Sequence, residues 1–185
     1  PDGIIPVKQL KVHFTRMGEP AFNMNVLEVI DEFGLYFNAP GFMPSVSTIA
    51  PNGSDRFFEE MLSIKNAKFS KGNFQLQFSI HTTDENKRNE LIPVKKWSFT
   101  KMGKYGELFH NRNDRKITLS FAPSDRYPVE PEKIQGFFDP EHFMIKLTPL
   151  NTTSSSAKNN LTSVIDPESR DNYQSLEDKF RKMGY

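Results

Sequence analysis

Four stretches of the chain alternate bulky apolar and polar side chains with a period of two. The apolar positions are Leu10, Val12 and Phe14; Phe74, Leu76, Phe78 and Ile80; Ile117, Leu119 and Phe121; and Phe143, Ile145 and Leu147. Between them lie Lys11 and His13; Gln75, Gln77 and Ser79; Thr118 and Ser120; and Met144 and Lys146. In a strand, successive side chains point to opposite faces, so this rhythm predicts strands with one buried and one wet face. One-sided sheets are commonly antiparallel, because parallel sheets usually carry helices on both faces. The expected fold is therefore all-β, an antiparallel sandwich of about seven or eight strands with one or two short helices.

Further strands are expected at 34–40 and 91–101, and the turn "SKGN" at 70–73 is expected to close a hairpin. Two segments carry helical spacing instead. Val26, Leu27, Val29, Ile30 and Phe33 fit one helix face, with Asn25 to start it and Gly34 to end it, against the strand preference of the β-branched residues. Phe57, Phe58, Met61 and Leu62 suggest a short helix after Ser54 that runs on into a strand. If both segments are helical, the alternative is an α+β fold.

The chain divides by composition into a main domain at 1–150, a polar linker at 151–166 that contains "NTTSSSAKNN", and a tail at 167–185. The tail is expected to be a helix, with Asp166 as cap, Pro167 in the first turn, and Tyr173, Leu176 and Phe180 on one face. A lone helix of this length is marginal in water, so it must dock on its own domain or on a partner. Residues 122–142 hold four prolines together with Tyr127, Phe137 and Phe138. Proline removes a ladder donor, so this stretch reads as a long loop. Its aromatics either pin it to the core or bind a partner.

Composition narrows the function. The 185 residues hold 24 basic and 23 acidic side chains, so neither a polybasic arm nor an acidic tail dominates. Seventeen phenylalanines supply a core of large rings. Without cysteine there is no disulfide, thiolate nucleophile or thiolate-bound zinc, and the lean is toward a reducing, cytoplasmic or nuclear compartment. No apolar run is long enough for a transmembrane helix. Nucleotide-binding glycine loops and the serine-hydrolase elbow are absent, and no two of the four histidines have helical metal-ligand spacing. "FDPEHF" groups Asp139, Glu141 and His142, which reads as a solvated loop before a strand. No catalytic residue, metal site or cofactor is assigned.

The strongest local charge asymmetry lies between Asp84 and Lys116, where nine basic residues face five acidic ones. It surrounds the single tryptophan. If 91–101 is extended, Lys95, Trp97, Phe99 and Lys101 share one face. Buried, Trp97 anchors the core; exposed, it forms a stacking and phosphate-binding platform with Lys95, Lys96, Lys101, Lys104, Arg112, Arg115 and Lys116. The expected function is a non-catalytic binding or assembly module that engages a protein partner or itself through Tyr127, Phe137, Phe138, Tyr173, Leu176 and Phe180. The alternative is a nucleic-acid-binding β domain using 87–116, and an anionic membrane surface is a variant of the same charge argument.

Overall fold

The computed structural model describes residues 3–16, 18–150, 161–166 and 171–185. Its strands are β1 (Leu10–Phe14), β2 (Phe42–Thr48), β3 (Gln75–Ser79), β4 (Ile117–Phe121) and β5 (Phe143–Leu147). They form one sheet in the order β1-β2-β3-β4-β5, and every neighbouring pair is parallel. The helices are α1 (Asn25–Tyr36), α2 (Asp55–Lys68), α3 (Glu85–Leu91), α4 (Phe99–Phe109) and α5 (Asp171–Lys182). The fold is α/β, which overturns the antiparallel sandwich and also the α+β alternative: both segments it named are helical, but they alternate with strands of one all-parallel sheet. Among the described residues, no helix is long and apolar enough to cross a membrane.

The physical reason lies in the strand order. Crossovers between parallel neighbours are right-handed almost without exception, so a strand order that never reverses sends every connecting helix to the same face. A doubly wound sheet reverses direction and covers both faces; here the described helices cover one. The other face stays wet, and its strands alternate as an antiparallel sheet's would. Alternation reports how many faces are covered. It does not report strand direction.

All four alternating segments are strands, and their apolar sets face the helices. The register aligns Val12 with Pro44, Val46 with Leu76, Phe78 with Leu119, and Leu119 with Ile145. Leu76, Phe78, Ile117, Leu119 and Phe143 are completely or almost completely buried. β2 was not visible as an alternation because nearly all of "FMPSVST" is buried and Pro44 interrupts it. Pairing with β3 starts at Ser45, one residue past the proline, so the missing donor is not needed there.

The segments expected as strands at 34–40 and 91–101 are not strands. The first holds the last turn of α1, which continues through Gly34 to Tyr36; Phe37 then turns extended and its N–H caps Phe33 O. The second is the end of α3, an extended crossing and the start of α4. "SKGN" closes no hairpin but joins α2 to β3, with Lys71 and Gly72 at positive φ. Burial of Leu27 and Ile30 one turn apart outweighs the β-branched propensity in α1. Helix α2 runs on to Lys68 because Phe57, Phe58, Met61, Ile64 and Lys65 continue its inner face, and its last-turn lysines suit the helix dipole.

Helix α4 sits closest to the sheet where it carries glycine. A methyl group at Gly103 would overlap the backbone carbonyl of Phe137, and one at Gly106 would overlap the ring of Phe143. Gly106→Ala is therefore expected to destabilise the protein by about 1–3 kcal/mol, despite the roughly 1 kcal/mol that alanine gains in helix propensity. Thermal unfolding should fall by several degrees, at about 2–4 °C per kcal/mol for a chain of this size. An unchanged midpoint would show that helix and strand are not in close contact there.

The tail folds back on this body. Ser163 bridges Ser124, Val164 N–H donates to Pro123 O, and Ile165 is buried. On α5, Phe180 is buried beside Phe121 and Tyr185. The "NTTSSSAKNN" linker and the proposed start of the tail helix at Pro167 lie outside the described residues.

Candidate functional site

The residues first considered for partner binding are taken up largely inside the fold. Tyr127, Phe138 and Phe180 are buried, Tyr173 and Leu176 are half-buried, and Phe137 is exposed. Phe138 packs between Phe99 and Phe143, and Tyr185 Oη donates to its carbonyl. Burial and Asp139 together push the Tyr185 phenol up to about 12. The proline-rich loop and the tail thus hold each other onto the core.

Trp97 is buried too. Its ring packs 4.2 Å from Phe58 and 5.5 Å from Tyr105, and its backbone N–H donates to Ala50 O at 2.8 Å. The lysines around it separate. Lys96 is buried and its ammonium donates to Asn89 Oδ1, Ile92 O and Val94 O. Burial and the nearby Arg88 bring its pKa down to about 8. Lys101 lies over the indole at 4.4 Å and pairs with Asp55. Lys95, Lys104 and Arg112 are exposed and Lys116 is half-buried; of the candidate platform, Arg115 alone also borders the open face of the sheet. The structure does not bring the basic stretch together as one platform. Asp139, Glu141 and His142 do not converge either: Asp139 Oδ1 accepts from Glu141 N–H, and His142 Nδ1 meets His110 Nδ1 at 3.1 Å. Among the described residues, no three metal-binding side chains share a site.

What the fold does assemble is the uncovered face of the sheet. The wet positions of all five strands line one open cleft of about 1200 Å³. Ser45, Ser47, Gln75, Gln77, Thr118 and Ser120 form its floor, where Ser45 and Thr118 are buried. Gln75 Nε2 donates to Thr118 Oγ1 at 2.9 Å and so ties β3 to β4 across that floor. Lys11, His13 and Arg16 stand at the β1 side, Lys146 at the β5 side and Arg115 ahead of β4. Among the described residues that line the cleft there is no carboxylate.

These cations feel one another. Burial lowers the Lys11 pKa, and Arg115 and Lys146 lower it further. Burial likewise lowers that of His13, with Lys11, Lys146 and Arg16 adding to the effect. In a flat sheet, β1 and β5 would stand roughly 19 Å apart, four strand spacings, beyond the screening length of about 10 Å at moderate salt. Long side chains reaching into the cleft bring Lys146 within electrostatic reach of Lys11 and His13. The result is a cup with cations on its walls and hydroxyl and amide groups on its floor.

The cleft reaches past the carboxyl ends of β1 and β5, at Thr15, Arg16, Thr148 and Pro149. Arg16, Ala50 and His81, which follow β1, β2 and β3, all take positive φ, at 69°, 55° and 66°. Such backbone costs of order 1–3 kcal/mol per residue and must be held by its surroundings. Ala50 is held from both sides, by Thr48 Oγ1 on its N–H and by Trp97 N–H on its carbonyl. His81 N–H donates to Ser120 O, and burial and Arg88 lower the pKa of its imidazole. Glu19 clamps the same rim by accepting from Ala21 N–H, Thr48 Oγ1 and Ile49 N–H. Arg88, almost fully buried, donates to Ile49 O and Trp97 O at 2.9 Å each, which joins the end of β2 to the start of α4.

The polar alternation already displayed Lys11, His13, Gln75, Gln77, Thr118, Ser120 and Lys146. Along the chain they read as a plain solvated surface. Their convergence depends on the parallel register that sets them side by side in one cleft, and no spacing along the chain encodes it. The chain matches none of the protein-family models, curated proteins or solved structures with which it was compared.

Proposed function

We propose that the open face of the sheet binds a small anionic ligand carrying phosphate and hydroxyl groups. One observation carries this reading: Lys11, Arg16, Arg115 and Lys146 crowd a single concave polar face on which no described carboxylate balances them. Crowded like charges raise the free energy of the empty site, and an anion relieves it. Charge-assisted hydrogen bonds from such groups contribute about 1.5–3 kcal/mol each. The floor of Ser45, Ser47, Gln75, Gln77, Thr118 and Ser120 offers both donors and acceptors to a hydroxylated neutral part. Burial of Tyr127, Phe138 and Phe180 takes support from an assembly surface built on those residues.

Calorimetric titration with pyrophosphate, a sugar phosphate and the matching neutral sugar tests the reading. Both phosphorylated probes should bind at low salt, and the neutral sugar should not. Lys146→Ala should weaken phosphate binding about tenfold, the equivalent of 1.4 kcal/mol. Lys104→Ala, on the exposed side of α4, should leave it unchanged. If no phosphorylated probe binds, or if both variants behave alike, the site lies elsewhere.

A further inference from the structure

We infer that anion binding on the open face is linked to proton uptake by His13, so that the site holds its ligand more tightly as pH falls toward 5.5; this rests on the proposed function. His13 is an exposed, wet-face residue of β1, with its imidazole at the edge of the cleft. Among the described residues that line the cleft, the charged groups are all cationic: Lys11 and Arg16 from its own strand and the turn after it, Lys146 from β5 and Arg115 ahead of β4. Its β2 partner in the register, Ser45, is uncharged. The one carboxylate near it among the described residues, Glu19, borders His13 in the groove leading to α1, and both its oxygens are taken by Ala21 N–H, Thr48 Oγ1 and Ile49 N–H.

The sign follows from this arrangement. In the empty site burial, and after it the charges of Lys11, Lys146 and Arg16, hold the imidazole below its ordinary value, so it resists protonation. A bound anion offsets those charges and adds an attraction of its own, which raises the imidazole pKa. A group that binds protons more tightly in the complex makes affinity rise as pH falls through the interval between its free and bound values. Burial, Arg115 and Lys146 depress Lys11, but its ordinary value of 10.5 lies far above this interval. His13 is therefore the residue of the cup that can act as the switch near neutrality.

Sulfate is the probe of choice, because it keeps both charges throughout this range and a phosphate does not. Titration of the whole chain at pH 7.5 and pH 5.5 should show sulfate binding about threefold to tenfold tighter at the lower pH, within the tenfold-per-unit limit for one linked proton. His13→Gln should remove that pH dependence while the variant still binds sulfate. In proton NMR spectra, the His13 imidazole should titrate at higher pH with sulfate than without it, a readout that needs no variant. Equal affinity at both pH values, an unaltered pH dependence in His13→Gln, or an unmoved imidazole titration overturns the linkage and leaves the anion site standing. Absence of sulfate and phosphate binding at pH 5.5 overturns both.

Discussion

Replacing Asp114 with alanine is expected to destabilise the protein by about 3–5 kcal/mol, the range for stripping one partner from a buried ion pair. Asp114 Oδ2 pairs with Lys65 Nζ, and the two side chains are only 6% and 2% exposed. Lys65 also donates to Phe109 O at 2.7 Å, and Asp114 accepts from Asn111 N–H at 3.0 Å. The pair thus joins α2 to the turn between α4 and β4. Without the carboxylate, the ammonium of Lys65 is left in a nearly dry site among apolar neighbours, including the Phe109 ring at 5.1 Å. Urea unfolding of Asp114→Ala checks the size, and the double variant with Lys65→Met should recover much of the loss, because both charges then leave together. A change below 1 kcal/mol in the single variant would mean that water reaches the pair.

The same pair sets an acid limit. Burial pushes the Asp114 carboxyl up, but the Lys65 hydrogen bond, the Asn111 N–H, the Lys65 charge and the Gly72 N–H together bring it below its ordinary value. A carboxyl depressed in the folded state contributes stability above its unfolded value, near 4, and loses that contribution as pH falls through the folded value. Stability of the wild type should therefore drop more steeply below about pH 4 than that of the Asp114→Ala, Lys65→Met protein.

Phe58→Ala is expected to cost about 3–5 kcal/mol, as large-to-small changes of buried rings do. Phe58 is 1% exposed and sits at the centre of the aromatic core. Phe57, Phe78, Trp97 and Tyr105 surround it at ring separations of 4.2 to 6.3 Å. Alanine would leave a cavity bounded by rigid rings, which collapse poorly around a void. The Phe58 carbonyl also accepts from Tyr105 Oη at 2.8 Å, and that bond belongs to the backbone and survives the substitution. Because the indole of Trp97 loses its nearest ring, its fluorescence should report the same event through a red-shifted emission. Retained stability with unshifted emission would contradict the packing described here.

The stability centre and the candidate site occupy opposite sides of one sheet. Phe78 and Leu119 face the aromatic layer, while their neighbours Gln77 and Ser120 face the cup. A strand residue added or lost would exchange the two sets, since a shift of one position flips every side chain. Substitutions on the wet face can therefore alter binding with little effect on the core, and this separates the Lys146 and His13 experiments from those on Phe58 and Asp114.

Particular elements show how much of this was legible beforehand. The period-two rhythm located β1, β3, β4 and β5, and helical spacing located α1 and α2, because local periodicity reflects which side of each element is buried. β2 escapes because nearly all of its side chains are buried in the middle of the sheet; even Met43, on the side of the open face, is 1% exposed. The stretch around Trp97 reads as a strand in sequence, and the burial of Trp97 rests on the docking of its N–H on Ala50 O and of Phe58 on the indole. Of the candidate site, the sequence displayed the side chains of the wet face, but not their convergence.

By itself, then, the amino-acid order determined that four strands keep one face in water and one in a layer of large rings, since that follows from neighbours two residues apart. Strand direction, the single-sided placement of the helices and the cluster of Lys11, His13, Arg16, Arg115 and Lys146 were decided by the tertiary structure. Those features depend on pairings and electrostatic interactions between residues far apart in the chain, as between Lys11 and Lys146, and on the handedness of crossovers. No pattern within a single segment carries that information.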